Sequence, residues 1–311
     1  MENSKEFRLE SDSLGDVRIP AGALWGAQTQ RAVDNFTISS YPMPAFMRRA
    51  LALIKYAAAL ANADLGKLDQ QKAQAISNVA LRIWNGQLAE AFPVEVFQTG
   101  SGTSWNMNMN EVIARCASAA DGILIHPNDH VNMGQSSNDV IPSAINIACL
   151  MGLVDLRKAI CRLRDEHLIK GKEFFPVVKL GRTHLQDAVP VRLGDSFLAV
   201  AAQLDQSLEM LDAAIPALQR LALGGTAAGT GLNTHPDFAS RACKAISAEL
   251  GQEVQAASIP SAEMNSRLPQ VFLMSAMQLL ATILQRWSID LRLMSSGPNG
   301  GLGEISLPEL Q

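Results

Sequence analysis

The stretch SSNDVIPSAINIACLMGLVDLRKAICRLRDEHLIKGKEFF, Ser136 to Phe175, decides the architecture. Its head, Ser136-Ser137-Asn138-Asp139, offers side-chain oxygens to the first unpaired amides of a helix, and Pro142 falls in the first turn, where a missing N–H costs least. Behind that head Val140, Ala144, Ile147, Met151, Val154, Ile160 and Leu163 recur near the helical period, which predicts one helix from Asn138 to about Phe175. The same reading predicts helices over Leu193–Leu223, Phe238–Leu250 and Leu268–Met294. Helices of these lengths imply a bundle. Their apolar faces exceed what one chain can cover, so they are expected to pack against the same helices of other subunits.

Upstream the pattern is shorter. Met47–Leu65 and Gln71–Phe92 read as helices with one buried face, punctuated by Gly66 and Gly86. Phe7 to Ser39 holds turns and brief extended stretches, Val17 to Pro20 and Ala23 to Trp25. The fold class is therefore mainly α, with a smaller mixed N-terminal domain at 1–137 and a helical-bundle domain over 138–311. No internal repeat or low-complexity segment interrupts it.

A chain of 311 residues, 48% hydrophobic, can bury a large core. With 26 basic and 30 acidic residues its formal charge is -4, which excludes a broad cationic surface for nucleic acid or anionic lipid. Cys116, Cys149, Cys161 and Cys243 show no metal-ligand spacing and read as reduced, buried thiols. Met1 to Leu14 is polar and charged, without the apolar core of a signal peptide, so cytoplasm is the expected compartment. Leu268 to Gln285 carries no charge, yet Gln270, Ser275, Gln278, Thr282 and Gln285 are spread around it. It is therefore expected in a bundle or a subunit interface, not in a membrane.

The chemistry lies in the connections. Thr99-Gly100-Ser101-Gly102-Thr103-Ser104 is a small-residue turn of hydroxyls opening onto a helix, with Asn106, Asn108 and Asn110 behind it. Such a turn either caps the helix or cradles an anion, because free amides and the helix dipole both favour a carboxylate there. Ser136-Ser137-Asn138 repeats the arrangement. Two neutral cradles suit a small dicarboxylate. His184, in the polar connection Gly181 to Asp187, either satisfies a local hydrogen bond or moves a proton near neutral pH. His126-Pro127-Asn128-Asp129-His130 has neither the spacing nor the partners of a metal site. The glycine run Gly224 to Gly231 lacks the lysine of a phosphate loop and reads as a close-packed turn, after which Thr234-His235-Pro236 restarts a helix. His235 reads as structural and His167 as a surface residue.

Trp25-Gly26-Ala27-Gln28-Thr29-Gln30-Arg31, Gln98 to Thr103, Asn106 to Glu111, His126 to Asp129, Gln135 to Asp139, Gly181 to Asp187 and Gly229 to Pro236, in this order and spacing, resemble the class II fumarases of the fumarase and aspartase superfamily. The resemblance runs from about Phe7 to Gln311. It implies the long-helix lyase bundle, a homotetramer with each active site built from three subunits, and reversible hydration of fumarate to malate without cofactor or metal. Carried over by position, Ser101, Thr103, Ser136, Ser137, Asn138 and Thr183 hold substrate carboxylates, and His184 holds and activates water. His126, Asn128 and Asp129 match a second, noncatalytic dicarboxylate site, although Gly122-Ile123-Leu124-Ile125 replaces the basic residues usual ahead of it. Ala262 to Met277 and Asn299 also depart from the usual pattern.

In the family Ser306-Leu307-Pro308-Glu309-Leu310-Gln311 leads into a Gly-Ser-Ser-x-Met-Pro loop that bears the serine base, followed by a C-terminal domain. The 311 residues alone are therefore expected to be inactive. Two other functions fit parts of the sequence. Aspartate ammonia-lyase would add ammonia to the same fumarate, and a non-catalytic lyase-like scaffold would use the bundle only for assembly.

Overall fold

Strand β1 (Phe7–Asp12) and strand β2 (Gly15–Pro20) form an antiparallel hairpin, Phe7 opposite Pro20 and Asp12 opposite Gly15, because Val17 and Ile19 alternate inward against Ala23 and Ala27. The computed structural model describes residues 7–309, so the first six residues of the polar start, with Leu310 and Gln311 of the closing segment, lie outside the described residues. Ala23 to Trp25 is irregular and not extended. Arg8 fastens it, donating from Nη1 to the carbonyls of Pro20 at 2.9 Å and Ala23 at 2.8 Å, and from Nη2 to that of Trp25.

Helices α1 (Ala27–Asn35), α2 (Ala45–Asp64), α3 (Gln70–Trp84) and α4 (Thr103–Asp121) follow. The N-terminus of α1 is closed from α4. Glu111 accepts from the amides of Gly26, Gln28 and Thr29 at 2.9, 3.0 and 3.1 Å and from the Thr29 hydroxyl at 2.6 Å. Gly26 makes that approach possible, since a Cβ there would stand 2.8 Å from the Glu111 carboxyl carbon. Helix α2 is alanine-rich and buried on several sides, so α3 and α7 (Phe238–Leu250) both pack against it. Burial of residues such as Leu51, Leu53 and Ile54 stabilises by roughly 1.5–3 kcal/mol each. The predicted helix over Gln71–Phe92 stops at Trp84, where Asn85 and Gly86 close it, and a short 3-10 turn at Ala89–Ala91 follows.

Helix α5 (Ser137–Glu173) is continuous over the span the sequence indicates, but Pro142, its sixth residue, stands inside the helix and not in its first turn. A hairpin of β3 (Val178–Thr183) and β4 (Gln186–Arg192) leads to α6 (Leu193–Leu218), which ends before Leu223 because Arg220–Leu221 pairs as β5 with β6 (Gln255–Ala256). Helix α7 starts at Phe238, two residues after Pro236, and α8 (Pro260–Asn265) and α9 (Leu268–Met294) complete the chain.

The chain divides into two compact units. The first comprises residues up to Met151 with Pro216–Arg267, and the second Gly152–Ile215 with Leu268 onward. Within the second, α5 and α6 cross closely where a Cβ on Gly194 would lie 2.2 Å from the carbonyl of Gly171. His167 is a correction to the sequence reading. It is 8% exposed, its ring lies against Phe197 and Trp287, and its Nδ1 is 2.8 Å from the carbonyl of Leu163. Charged neighbours on the other helix face concealed an inward position. Cys243 is buried as expected, whereas Cys116, Cys149 and Cys161 are only half-buried. Helices α5 and α9 are both long and apolar enough to cross a membrane by length and composition. Leu268, Val271, Phe272, Met274 and Leu279 of α9 are exposed on this single chain.

Candidate carboxylate site

Gly100 and Gly102 take φ of 76° and 78°, which turns the chain so that the Thr99, Ser101 and Thr103 hydroxyls adjoin at the start of α4. The Ser101 hydroxyl lies 3.3 Å from that of Thr99 and 3.0 Å from that of Thr103. A Cβ on Gly102 would come within 2.8 Å of the Ile141 side chain, so the loop can lie against α5 only with glycine there.

Asn106 joins this turn to the second one. Fully buried in α4, it donates from Nδ2 to the Ser137 hydroxyl at 3.0 Å and to Asn132 Oδ1 at 3.3 Å. Asn108 donates to the carbonyl of Ala91 at 3.1 Å and is structural. At the head of α5 the Ser136 hydroxyl accepts from the Asn138 amide at 3.2 Å, and Asn138 donates from Nδ2 to the carbonyl of Ala227 at 2.9 Å. Asp139 is fully buried. It accepts from the amides of Ser136 at 2.9 Å, Gly224 at 3.0 Å and Thr226 at 2.8 Å, and so staples the Gly224–Gly231 loop to the helix. Burial pushes the Asp139 carboxyl up to about 6, against the pull of those three amides and of Lys55.

Ser101, Thr103, Ser136, Ser137 and Asn138 are thus brought together in the first unit. Ala227 lines two clefts beside them. One, of about 380 Å³, is bounded by Asn132, Gln135, Ser136, Ser137 and Asn233. The other, of about 440 Å³, is bounded by Ser101, Asn138, Ser261, Asn265 and Arg267. Both fall in the size range of small-ligand sites. Among the described residues Arg267 is the only charged side chain bordering the second cleft, and its Nη1 is anchored at 2.7 Å on the carbonyl of Ser266. Beneath the first cleft Lys55 donates from Nζ to Asn132 Oδ1 at 2.8 Å and Gln135 Oε1 at 2.9 Å. Sequence reasoning missed Asn106, Asp139, Arg267 and Lys55 as parts of this site. A single lysine in the alanine-rich helix ALALIKYAAAL was the signal available for Lys55.

Thr183 and His184 lie in the second unit, at the tip of the β3–β4 hairpin, where the sequence showed only a polar connection. His184 and Leu185 form the two-residue turn with φ of 51° and 63°, a left-handed conformation usually taken by asparagine and glycine. Both residues are exposed. Glu304 holds the hairpin, receiving Lys179 at 2.8 Å and Arg182 at 2.6 Å. Burial alone would raise the Glu304 carboxyl, but those two cations outweigh it and hold it below the usual range.

His126, Asn128 and Asp129 lie at a π-helical turn, Pro127–Val131. His126 and Asn128 border a third cleft, of about 900 Å³, with Trp25, Glu111 and Arg115, while Asp129 stands beside it, its amide donating to His126 Nδ1 at 3.1 Å and its carboxylate 3.1 Å from the same nitrogen. Arg115 is paired with Glu10 at 3.2 Å. Among the described residues no group of His, Cys, Asp and Glu has the arrangement of a metal site. His235 accepts from the Asp237 amide at 3.1 Å, a local structural role.

A protein family described as "Lyase" matches residues 15–311. The class II fumarate hydratase of Corynebacterium glutamicum is 47% identical over 313 residues, covering 99% of this chain and 65% of that protein. The chain therefore spans somewhat less than two thirds of that relative's length. The crystal structure of class II fumarase from Schistosoma mansoni superimposes with a TM-score of 0.96 at 35% identity, covering 98% of this chain and 69% of that one. A fumarate lyase:delta crystallin from Brucella melitensis, bound to cobalt, gives a TM-score of 0.95 at 42% identity, covering 98% of this chain and 68% of that one.

Proposed function

The chain belongs to the lyase family, and from that premise we propose that the protein it comes from hydrates fumarate reversibly to malate. The observation that carries this reading is the meeting of two neutral cradles, Ser101 with Thr103 and Ser136 to Asn138, around adjoining clefts. Such donors suit a doubly negative four-carbon acid. In the dehydration direction a base takes a proton from C3 of malate, and the electron pair spreads onto the adjacent carboxylate. Fixed donors at that carboxylate lower the barrier because they are strongest when it carries the extra charge. The C2–O bond then breaks, and the hydroxyl leaves as water after accepting a proton that His184 relays from the hairpin tip.

The remaining features of the reading follow the family. His184 and Thr183 reach the cradles of another subunit in a homotetramer whose shared bundle covers the exposed face of α9. Residues 1–137 serve as the N-terminal lyase domain and 138–311 as part of the central bundle, with a further C-terminal domain in the full-length protein. His126, Asn128 and Asp129 belong to a second dicarboxylate site, with Asp129 acting through His126. The enzyme acts in the cytoplasm, as a step of the tricarboxylic acid cycle.

The full-length protein supplied with fumarate should deplete its ultraviolet absorbance and yield malate without ammonium. Formation of aspartate only when ammonium is present would replace hydratase by ammonia-lyase. No turnover under either condition would leave the scaffold reading.

A further inference from the structure

We propose that Lys55 is a positioning residue of the carboxylate site, its buried ammonium orienting Asn132 and Gln135 and lending positive potential to the cleft at Ser136 and Ser137. The inference rests on the dicarboxylate reading above and adds to it a cation behind the neutral donors.

Lys55 has 0% exposure, in the middle of a helix whose other inward residues, apart from Met47 and Asn62 near its ends, are alanine, leucine and isoleucine. Its acceptors, Asn132 Oδ1 at 2.8 Å and Gln135 Oε1 at 2.9 Å, are neutral amides, and no ion pair to it is seen among the described residues. A buried charge satisfied only by dipoles is costly, so a purely structural role would be served better by an apolar side chain. Asn132 and Gln135 also border the cleft. Asn132 Oδ1 receives Asn106 as well, and Asn106 holds the Ser137 hydroxyl, so the ammonium and the cradle share one hydrogen-bond chain. Asn132 Nδ2 donates to the carbonyl of Gln135 and Gln135 Nε2 to those of Val131 and Met133, so both amides are fixed in place, and the donor that meets Ser137 is Asn106 Nδ2.

Asp139, on α5, is the charged group that acts on Lys55 electrostatically. It is occupied by three backbone amides and does not reach hydrogen-bond distance of the ammonium. Burial brings Lys55 down to about 7, with Asp139 opposing. A dianion arriving in the cleft supplies the missing counter-charge and favours the protonated lysine. Binding should therefore draw a proton from solution near neutral pH and weaken as pH rises through that range. Asp139 takes up a proton for the opposite reason, being disfavoured as an anion beside another, and it does so at lower pH.

The test is calorimetric titration of the full-length, assembled protein with succinate, an unreactive dicarboxylate, at about pH 6.5 and about pH 8.5 in buffers of differing ionisation heat. The unaltered protein should bind more tightly at the lower pH with net proton uptake. Lys55→Met should bind about tenfold more weakly at the lower pH and lose the part of the proton uptake seen at the higher pH. Lys55→Arg should retain the low-pH affinity and no longer weaken at high pH. Should Lys55→Met not fold, Asn132→Asp sets a carboxylate against the ammonium and should give the same loss. Affinity and proton uptake unchanged in Lys55→Met or Asn132→Asp, with only thermal stability altered, would reduce Lys55 to a packing role and overturn the inference. Absence of succinate binding by the unaltered full-length, assembled protein overturns the dicarboxylate reading itself, and Lys55 with it.

Discussion

Replacing Asp139 by alanine should lower the unfolding free energy by about 3–5 kcal/mol, measured by urea denaturation at neutral pH. The size follows from what the carboxylate holds. Three backbone amides, from Ser136, Gly224 and Thr226, end on its two oxygens inside the protein, and among the described residues none has another acceptor once the side chain is gone. Each unsatisfied buried amide costs about 1–3 kcal/mol, while relief of the buried charge offsets part of the sum. Asp139→Asn keeps one acceptor oxygen and should cost about 1–2 kcal/mol.

The pH dependence separates this account from simple loss of packing. The folded carboxyl titrates at about 6 against an ordinary value of 3.8, so the folded state holds the proton more tightly than the unfolded one. That contribution to stability is fully present below 3.8 and is lost as pH rises through about 6. Asparagine cannot titrate. The deficit of Asp139→Asn should therefore grow as pH falls from about 7 to about 4, by up to roughly 1.4 kcal/mol per pH unit. A deficit that stays flat over that range would mean that burial does not perturb Asp139.

Asp139 also shows how far the sequence could be read. As one of four polar residues heading a helix it looked like a capping group, and so it is toward Ser136. Its other two bonds reach a loop some eighty-five residues away, at Gly224 and Thr226, and no local pattern encodes a contact at that separation. The long helices were legible because apolar periodicity is a local property sustained over many turns. Alpha-helix α9 matched its predicted bounds for that reason, and α5 nearly so. The β3–β4 hairpin was not legible. Its turn residues are His184 and Leu185, where the usual signal is asparagine followed by glycine, so the sequence gives a strand reader nothing to register. His167 failed in the other direction, since acidic and basic neighbours on one face hid an inward ring. Motif spacing located Ser101, Ser137 and His184 as candidates, but Lys55 emerges only when its two amide partners are seen.

His184→Asn in the full-length, assembled enzyme should reduce kcat by about 10²–10⁴-fold, with a smaller change in KM. Asparagine is the informative replacement. It tolerates the left-handed backbone that the turn imposes at φ 51°, so the hairpin keeps its shape while the ring that relays a proton is lost. A non-glycine residue in that region costs of order 1 kcal/mol or more, and here two stand in succession. Such a turn persists because the strands below it are anchored, with Lys179 and Arg182 both bound to Glu304. Replacing the neighbour by glycine, Leu185→Gly, should accordingly stabilise the chain by about 1 kcal/mol, because the backbone strain is relieved without loss of a buried side chain. Histidine at the first position makes sense only if its ring is needed where the hairpin presents it. Full turnover by His184→Asn would show that the strained turn serves the backbone alone and that another group carries the proton.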